Sequence, residues 1–164
     1  MLLKFKNMEK IYTYRTEIDK NLKNILVKEK SFSYETNIAD SPGEIVRMMN
    51  NFFRMNKLAE EYVYMIALNT RCSVIGIFQI SHGTVNEASC SPRDLMIKAL
   101  LCGASGIIVL HNHPSERPDP SLEDIATMNK IYEACNLIEL QFMDSIIIGG
   151  NNYYSFKEHN MLKK

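Results

Sequence analysis

Two hydrophobic periods alternate along this chain, and an element begins or ends where one gives way to the other. Residues 5 to 15, with Phe5, Ile11, Tyr12 and Tyr14, have strand-like composition. Residues 24 to 34, Asn-Ile-Leu-Val-Lys-Glu-Lys-Ser-Phe-Ser-Tyr, read as a second strand. The pair predicts a hairpin or an added sheet edge, an N-terminal β arm over residues 1–35 ahead of a main domain over 36–164. Such an arm packs on the domain or on a neighbouring subunit. The period then lengthens. Ile45, Met48, Met49 and Phe52 follow Asp40-Ser41-Pro42-Gly43-Glu44 at helical spacing. Ser41 is the expected cap, Pro42 takes the first helical position, and Glu44 closes a capping box. This helix is expected to end near Asn56, with its methionines as core filler.

Glu61 to Asn69 is almost continuously apolar, as in a strand buried on both faces. Asn69-Thr70-Arg71 makes a turn into the next strand, Ser73 to Ser81, expected antiparallel to the first. Gly83-Thr84-Val85-Asn86 is a loop before a second capped helix, Ser91 to Leu101. Its Leu95, Ile97, Ala99 and Leu100, with Ala104 just beyond, suit firm packing on a sheet, and Gly103 fits a left-handed C′ position. Ser105 to His111 is the central strand. A third helix, Ser121 to about Asn136, carries Ile125, Met128, Ile131, Tyr132 and Cys135 on one stripe. Ile138 to Met143 and Asp144 to Ile148 read as one bent strand or two short ones. Gly149-Gly150-Asn151-Asn152 is a hairpin turn, Tyr153 to Phe156 the return strand, and the tail is expected to fray.

Composition narrows the function classes. At 164 residues the chain suits one domain with a real core and is cramped for two. An apolar content of 46% and a charged content of 23% are ordinary for a soluble globular protein. The start lacks a signal-peptide pattern, and no apolar run approaches the roughly 20 residues that span a bilayer, so a cytoplasmic protein without a membrane partner is expected. Cys72, Cys90, Cys102 and Cys135 are widely spaced and read as ordinary thiols. They also lack the Pro-Cys-x-x-Cys half of the zinc nucleobase deaminase signature. The net charge of zero hides an uneven spread: residues 1 to 30 hold eight Lys/Arg against four Asp/Glu, and the remainder eleven against fifteen. The acidic larger part argues against tight electrostatic binding of nucleic acid, leaving the basic lead segment as its only support.

The chemistry concentrates between residues 111 and 124. His111 and His113 sit two apart at the end of an apolar strand, a spacing that puts both imidazoles on one face. Pro114 and Arg117-Pro118-Asp119-Pro120 then force a turn, and the chain re-enters regular structure at Ser121, which can return Asp124 towards the histidines. Two imidazoles and a carboxylate make three ligands, the number a catalytic zinc typically takes from protein while a fourth position stays open. Helix capping alone explains Ser121 and Asp124. It does not explain the paired histidines. Asn112 points the other way and takes a structural role. His82 and His159 lie outside any ligand spacing and are expected on the surface or locally bonded.

His111-x-His113-Pro114, six residues, then Ser121-x-x-Asp124 resembles the JAMM motif of the JAB/MPN domain metalloproteases. The variant His-Asn-His-Pro-Ser, after an alanine-containing helix and an Ile/Val strand, resembles the RadC branch. The likeness takes in Gly83-Thr84, Ser91-Pro92-Arg93-Asp94 and Asp144 to Gly149, and spans roughly residues 36 to 158. It implies an α/β protein, a three-layer α/β/α sandwich with a central mixed sheet similar to cytidine deaminases. It further implies a Zn²⁺ held by His111, His113 and Asp124, and metal-assisted hydrolysis of an amide bond in an unknown peptide or protein substrate.

In that family a glutamate near the start of the first central strand acts as general base. Aligned on the Leu68-Asn69-Thr70 turn, Glu61 occupies this position, with Glu60 as its neighbour on the opposite face. Ser121 would donate to the oxyanion, or spend its hydroxyl on the helix cap. Two departures stand out: Glu116 and Arg117 replace a glycine-containing loop, and Asp144-Ser145 stands where the family usually has Asp-His. RadC-like proteins often carry a helical module ahead of this domain, for which this chain has no room. The rival reading is a DNA-repair or mobile-element accessory protein that binds DNA or a protein partner, its zinc only structural. An exposed N-terminal edge strand would also invite homodimerisation.

Overall fold

The central strands are apolar on both faces, so they must be covered on both, and this requirement sets the architecture. The computed structural model describes residues 8–83 and 90–162. In chain order the strands are β1 (Glu9–Ile18), β2 (Asn24–Tyr34), β3 (Tyr62–Leu68), β4 (Val74–His82), β5 (Gly106–Asn112), β6 (Gln141–Gly149) and β7 (Asn152–Ser155). The helices are α1 (Pro42–Phe53), α2 (Pro92–Leu101) and α3 (Leu122–Leu137). All seven strands form one sheet in the order β2-β1-β4-β3-β5-β6-β7. The β1/β4 and β5/β6 pairs are parallel and the others antiparallel, which makes this an α/β protein with a mixed central sheet.

Alternation along the strands sorts side chains by face. Tyr64, Ile66 and Leu68 of β3 cluster with Ile108 and Leu110 of β5 and with Ile45, Met48 and Met49 of α1. Val63, Met65 and Ala67 cluster instead with Ile107 and Val109, with Leu95 and Ala99 of α2, and with Ile131 and Cys135 of α3. Continuing this parity puts His111 on the face that α3 covers and Asn112 on the other.

Several boundaries differ from the sequence expectation for identifiable reasons. α1 stops at Phe53 because Arg54 turns left-handed (φ 52°), and a short 3-10 turn, Met55–Lys57, then buries Met55 in the core. Ser41 does accept from the Glu44 N–H (3.4 Å), but the Glu44 carboxylate pairs with Arg47 instead of completing a box. Ser91 makes no side-chain cap bond. Residues 141 to 149 form a single strand, with a register shift opposite Ile107 and Ile108 absorbing the bend. Gly103 takes the left-handed conformation expected of it (φ 67°). Phe5 and the loop residues Thr84, Val85 and Asn86 lie outside the described residues.

The N-terminal hairpin is a full part of the sheet. β1 lies beside β4 and places Ile11, 1% exposed, in the core with Tyr34 of β2. The tail does not fray over its described part. Phe156 is fully buried against Met128 and Ile147, and the Tyr154 hydroxyl donates to Met161 Sδ (2.9 Å). Among the described residues no helix is long and apolar enough to cross a membrane.

A buried carboxylate anchors this C-terminal turn. Asp144 accepts the Ser155 hydroxyl (2.5 Å) and the Lys157 N–H (3.0 Å). Burial pushes its pKa up, and these bonds pull it only part of the way back. Ser155→Ala removes the hydroxyl donor from a group that water cannot reach, and should cost about 1–3 kcal/mol in urea denaturation. A loss below about 0.5 kcal/mol, within the scatter of surface substitutions, would show that Asp144 is not the anchor.

Candidate metal centre

The C-terminal end of β5 delivers two imidazoles to one place, and the start of α3 delivers a carboxylate. His111 is the penultimate residue of β5, and His113 follows the strand with its N–H donating to the Ile148 carbonyl of β6 (2.8 Å). His113 Nδ1 bonds the Arg117 carbonyl (2.9 Å), which makes Nδ1 the protonated nitrogen and turns the Nε2 lone pair inward. Asp124 stands at the third position of α3. Its Oδ2 accepts from the Ser121 N–H and the Ser121 hydroxyl, both at 2.7 Å, while its own N–H donates to Ser121 Oγ (3.1 Å). The capping box read from the sequence is therefore complete here, and the same carboxylate also faces the histidines.

The two functions coexist because a carboxylate has lone pairs enough for both. His111 Nε2 lies 3.0 Å from Asp124 Oδ1, His113 Nε2 lies 3.4 Å from Oδ2, and the two Nε2 atoms are 3.1 Å apart. The three side chains are between 12% and 18% exposed, shielded yet open to an incoming ion. Burial pushes the Asp124 carboxyl up, but the bonds from His111, His113 and Ser121 outweigh it and hold it well below the usual range. Burial pulls the His113 imidazole down, and the Asp124 and Arg117 bonds more than reverse that.

These donors fit a divalent ion. Ligand atoms about 2.0–2.1 Å from a tetrahedral zinc lie about 3.3 Å from one another. The two imidazole Nε2 atoms, 3.1 Å apart, stand near that value, and one ligand atom from each of the three residues lies within 4.8 Å of the others. A cation among the three would take the Nε2 lone pair of each imidazole and a carboxylate oxygen, a donor set suited to zinc.

Glycine at the end of β6 permits the loop that holds His113. A Cβ on Gly149 would come within 2.6 Å of Pro118 N, 2.7 Å of Arg117 C and 2.8 Å of Glu116 O, all backbone atoms. The Arg117 carbonyl is thus pressed into place from beneath. Glu116 adopts a left-handed backbone (φ 63°), at a cost of about 1–2 kcal/mol that glycine would avoid. Glu116, Pro114 and His113 also border a cleft of about 230 Å³ whose far wall is Met55, Lys57 and Leu58. Ser145 is buried and pairs with Val109, while Ile147 pairs with His111, so Ser145 sits two positions back from the residue opposite the ligand.

The two candidate bases both precede β3 and differ in exposure. Glu60 is exposed and its carboxylate pairs with His82, whose ring stacks on Tyr62. Glu61 is half-buried immediately before β3, and its negative charge favours the protonated His113 imidazole. His159 bonds the Ser155 carbonyl (2.8 Å) and stacks on Tyr154, away from the ligand set. Sequence reading missed two supports. The Arg117 carbonyl leaves no mark in side-chain identity, and Gly149 read only as a turn residue.

A family model described as RadC-like JAB domain matches residues 39–161. A UPF0758 protein of Alkaliphilus metalliredigens is 39% identical over 122 residues, 74% of this chain and 52% of its own length. UPF0758 proteins of Clostridium acetobutylicum and Clostridium beijerinckii are 35% and 36% identical, over 79% and 74% of this chain and 56% and 52% of theirs. The chain spans about half the length of these relatives.

Gly149→Ala must displace the 116–118 backbone and with it the bond to His113 Nδ1. Loss of such a supporting contact typically lowers metal affinity about 10–100-fold, readable by competition with a chromogenic chelator. Unchanged affinity in a folded Gly149→Ala protein would show that the loop does not orient His113.

Proposed function

The chain belongs to the RadC-like JAB domain family, and from that premise we propose that it is a zinc-dependent hydrolase cleaving an amide bond in a peptide or protein, as a peptidase or isopeptidase. The observation that carries this reading is the convergence of one ligand atom each from His111, His113 and Asp124 within 4.8 Å of one another. Zinc, when bound, supplies a Lewis acid that polarises an amide carbonyl and brings the pKa of water towards neutrality. Glu61 accepts a proton from the attacking water and passes it to the leaving amine.

Ser121 has a second task in this reading. Its hydroxyl proton is spent on Asp124 Oδ2 in the resting arrangement, while Oδ2 keeps the Ser121 N–H as a second donor. Rotation of the hydroxyl towards a developing oxyanion therefore leaves the carboxylate still bonded, and such a donor is worth about 3 kcal/mol at the transition state. The separate packing of α1 on one core cluster and of α2 and α3 on the other supports the three-layer, cytidine-deaminase-like form of the fold.

Protein purified without chelator should carry one zinc per chain. His113→Ala should lose it, and His159→Ala should keep it. Full zinc occupancy in His113→Ala would reject the ligand assignment. Against a peptide library, the zinc-loaded protein should cleave at least one amide bond and Glu61→Gln should lose at least about 10²-fold in kcat, the contribution typical of a general base. DNA binding that survives chelation and falls steeply with salt, without any cleavage, would favour an accessory DNA-repair role instead.

A further inference from the structure

We propose that Asn112 is a positioning residue: its side-chain amide clamps the backbone on either side of Glu61 and so fixes which of two adjacent glutamates is presented to the ligand set. The inference rests on the reading of Glu61 as proton acceptor. Asn112 lies between the two histidines, is 1% exposed, and occupies the opposite sheet face from both. Its Nδ2 donates to the Glu60 carbonyl (3.0 Å), and its Oδ1 accepts from the Tyr62 N–H (2.9 Å). The β3/β5 pairing register runs from Leu68 opposite Gly106 to Val63 opposite His111. Just beyond it the carboxamide, which carries the donor and acceptor of a peptide group, adds one more rung through a side chain.

The two groups held are those flanking Glu61. Exchanging Glu61 for Glu60 would rotate both peptides and break two part-buried hydrogen bonds together. The Glu61 carbonyl is held as well, accepting from the Gly83 N–H (2.9 Å). On the other side Glu60 is retained by His82, whose ring lies 4.2 Å from the Tyr62 ring. Asparagine suits the position better than its neighbours in chemistry. Aspartate offers two acceptors and would leave the Glu60 carbonyl facing negative charge, while alanine offers nothing. The same strand thus carries two metal ligands towards α3 and, between them, the clamp that aims the base from the far side.

The test uses the full chain loaded with Co²⁺, whose visible absorption reports the surroundings of the ion. Asn112→Asp should keep one metal per chain and shift the spectrum in the same direction as Glu61→Gln, and the double variant should give the spectrum of Glu61→Gln alone. On any peptide the protein cleaves, Asn112→Asp should lower kcat about 10²-fold with little change in KM, as expected for a misplaced catalytic group. Should Asn112→Asp not fold, Asn112→Ser, which shortens the arm without adding charge, is read in the same way. A wild-type spectrum for Asn112→Asp beside an altered one for Glu61→Gln would overturn the proposal, as would loss of the metal, which would assign Asn112 to the histidines. A spectrum unmoved by Glu61→Gln would remove the base assignment and this proposal with it, while leaving the metal site standing.

Discussion

One carboxylate carries the architecture of this site. Asp124 terminates the capping box of α3 through Ser121 and also stands within 3.0 and 3.4 Å of the two imidazoles. The bonds that start the helix therefore also fix the third ligand, so fold and site cannot be moved independently. The opposing wall is equally constrained. His113 is held at its backbone by Ile148 and at its ring by Arg117, and the loop bearing Arg117 rests on Gly149. Strands β5 and β6 run parallel, so both walls are built from one end of the sheet, the usual position for sites in open α/β sheets.

Most of this was legible in the sequence wherever a local rule decided it. The His-x-His spacing at a strand end, the proline turn and the Ser-x-x-Asp cap each follow from backbone periodicity, and the three side chains do meet. Glu60 and Glu61 lie just ahead of β3, outside the strand alternation that the sequence suggested. What was not legible depends on contacts made from far along the chain. Ser91 looks like Ser41 and Ser121 in sequence, yet only tertiary surroundings decide whether a hydroxyl reaches its helix. Arg54 and Glu116 turn left-handed without any glycine to announce it. Asn112 reads as a residue between two ligands, and its partners lie about 50 positions away.

The N-terminal hairpin also carries weight that the family match does not. The matched segment begins at residue 39, while β1 and β2 precede it, cover the outer edge of β4 and contribute Ile11 and Tyr34 to the core. A sheet ending at β4 would expose both an unpaired edge and an incomplete apolar face. The aligned segment of this chain covers 52% and 56% of two of the relatives. The hairpin is the part of this chain that completes the sheet on that side.

X-ray absorption at the zinc edge tests the central claim most directly, because it reads the ligand atoms and needs no substrate. The account predicts nitrogen and oxygen neighbours at about 2.0–2.1 Å, with the outer-shell scattering of two imidazole rings. Sulfur scattering at about 2.3 Å, from any of the four cysteines, or the signature of a single imidazole, would contradict it.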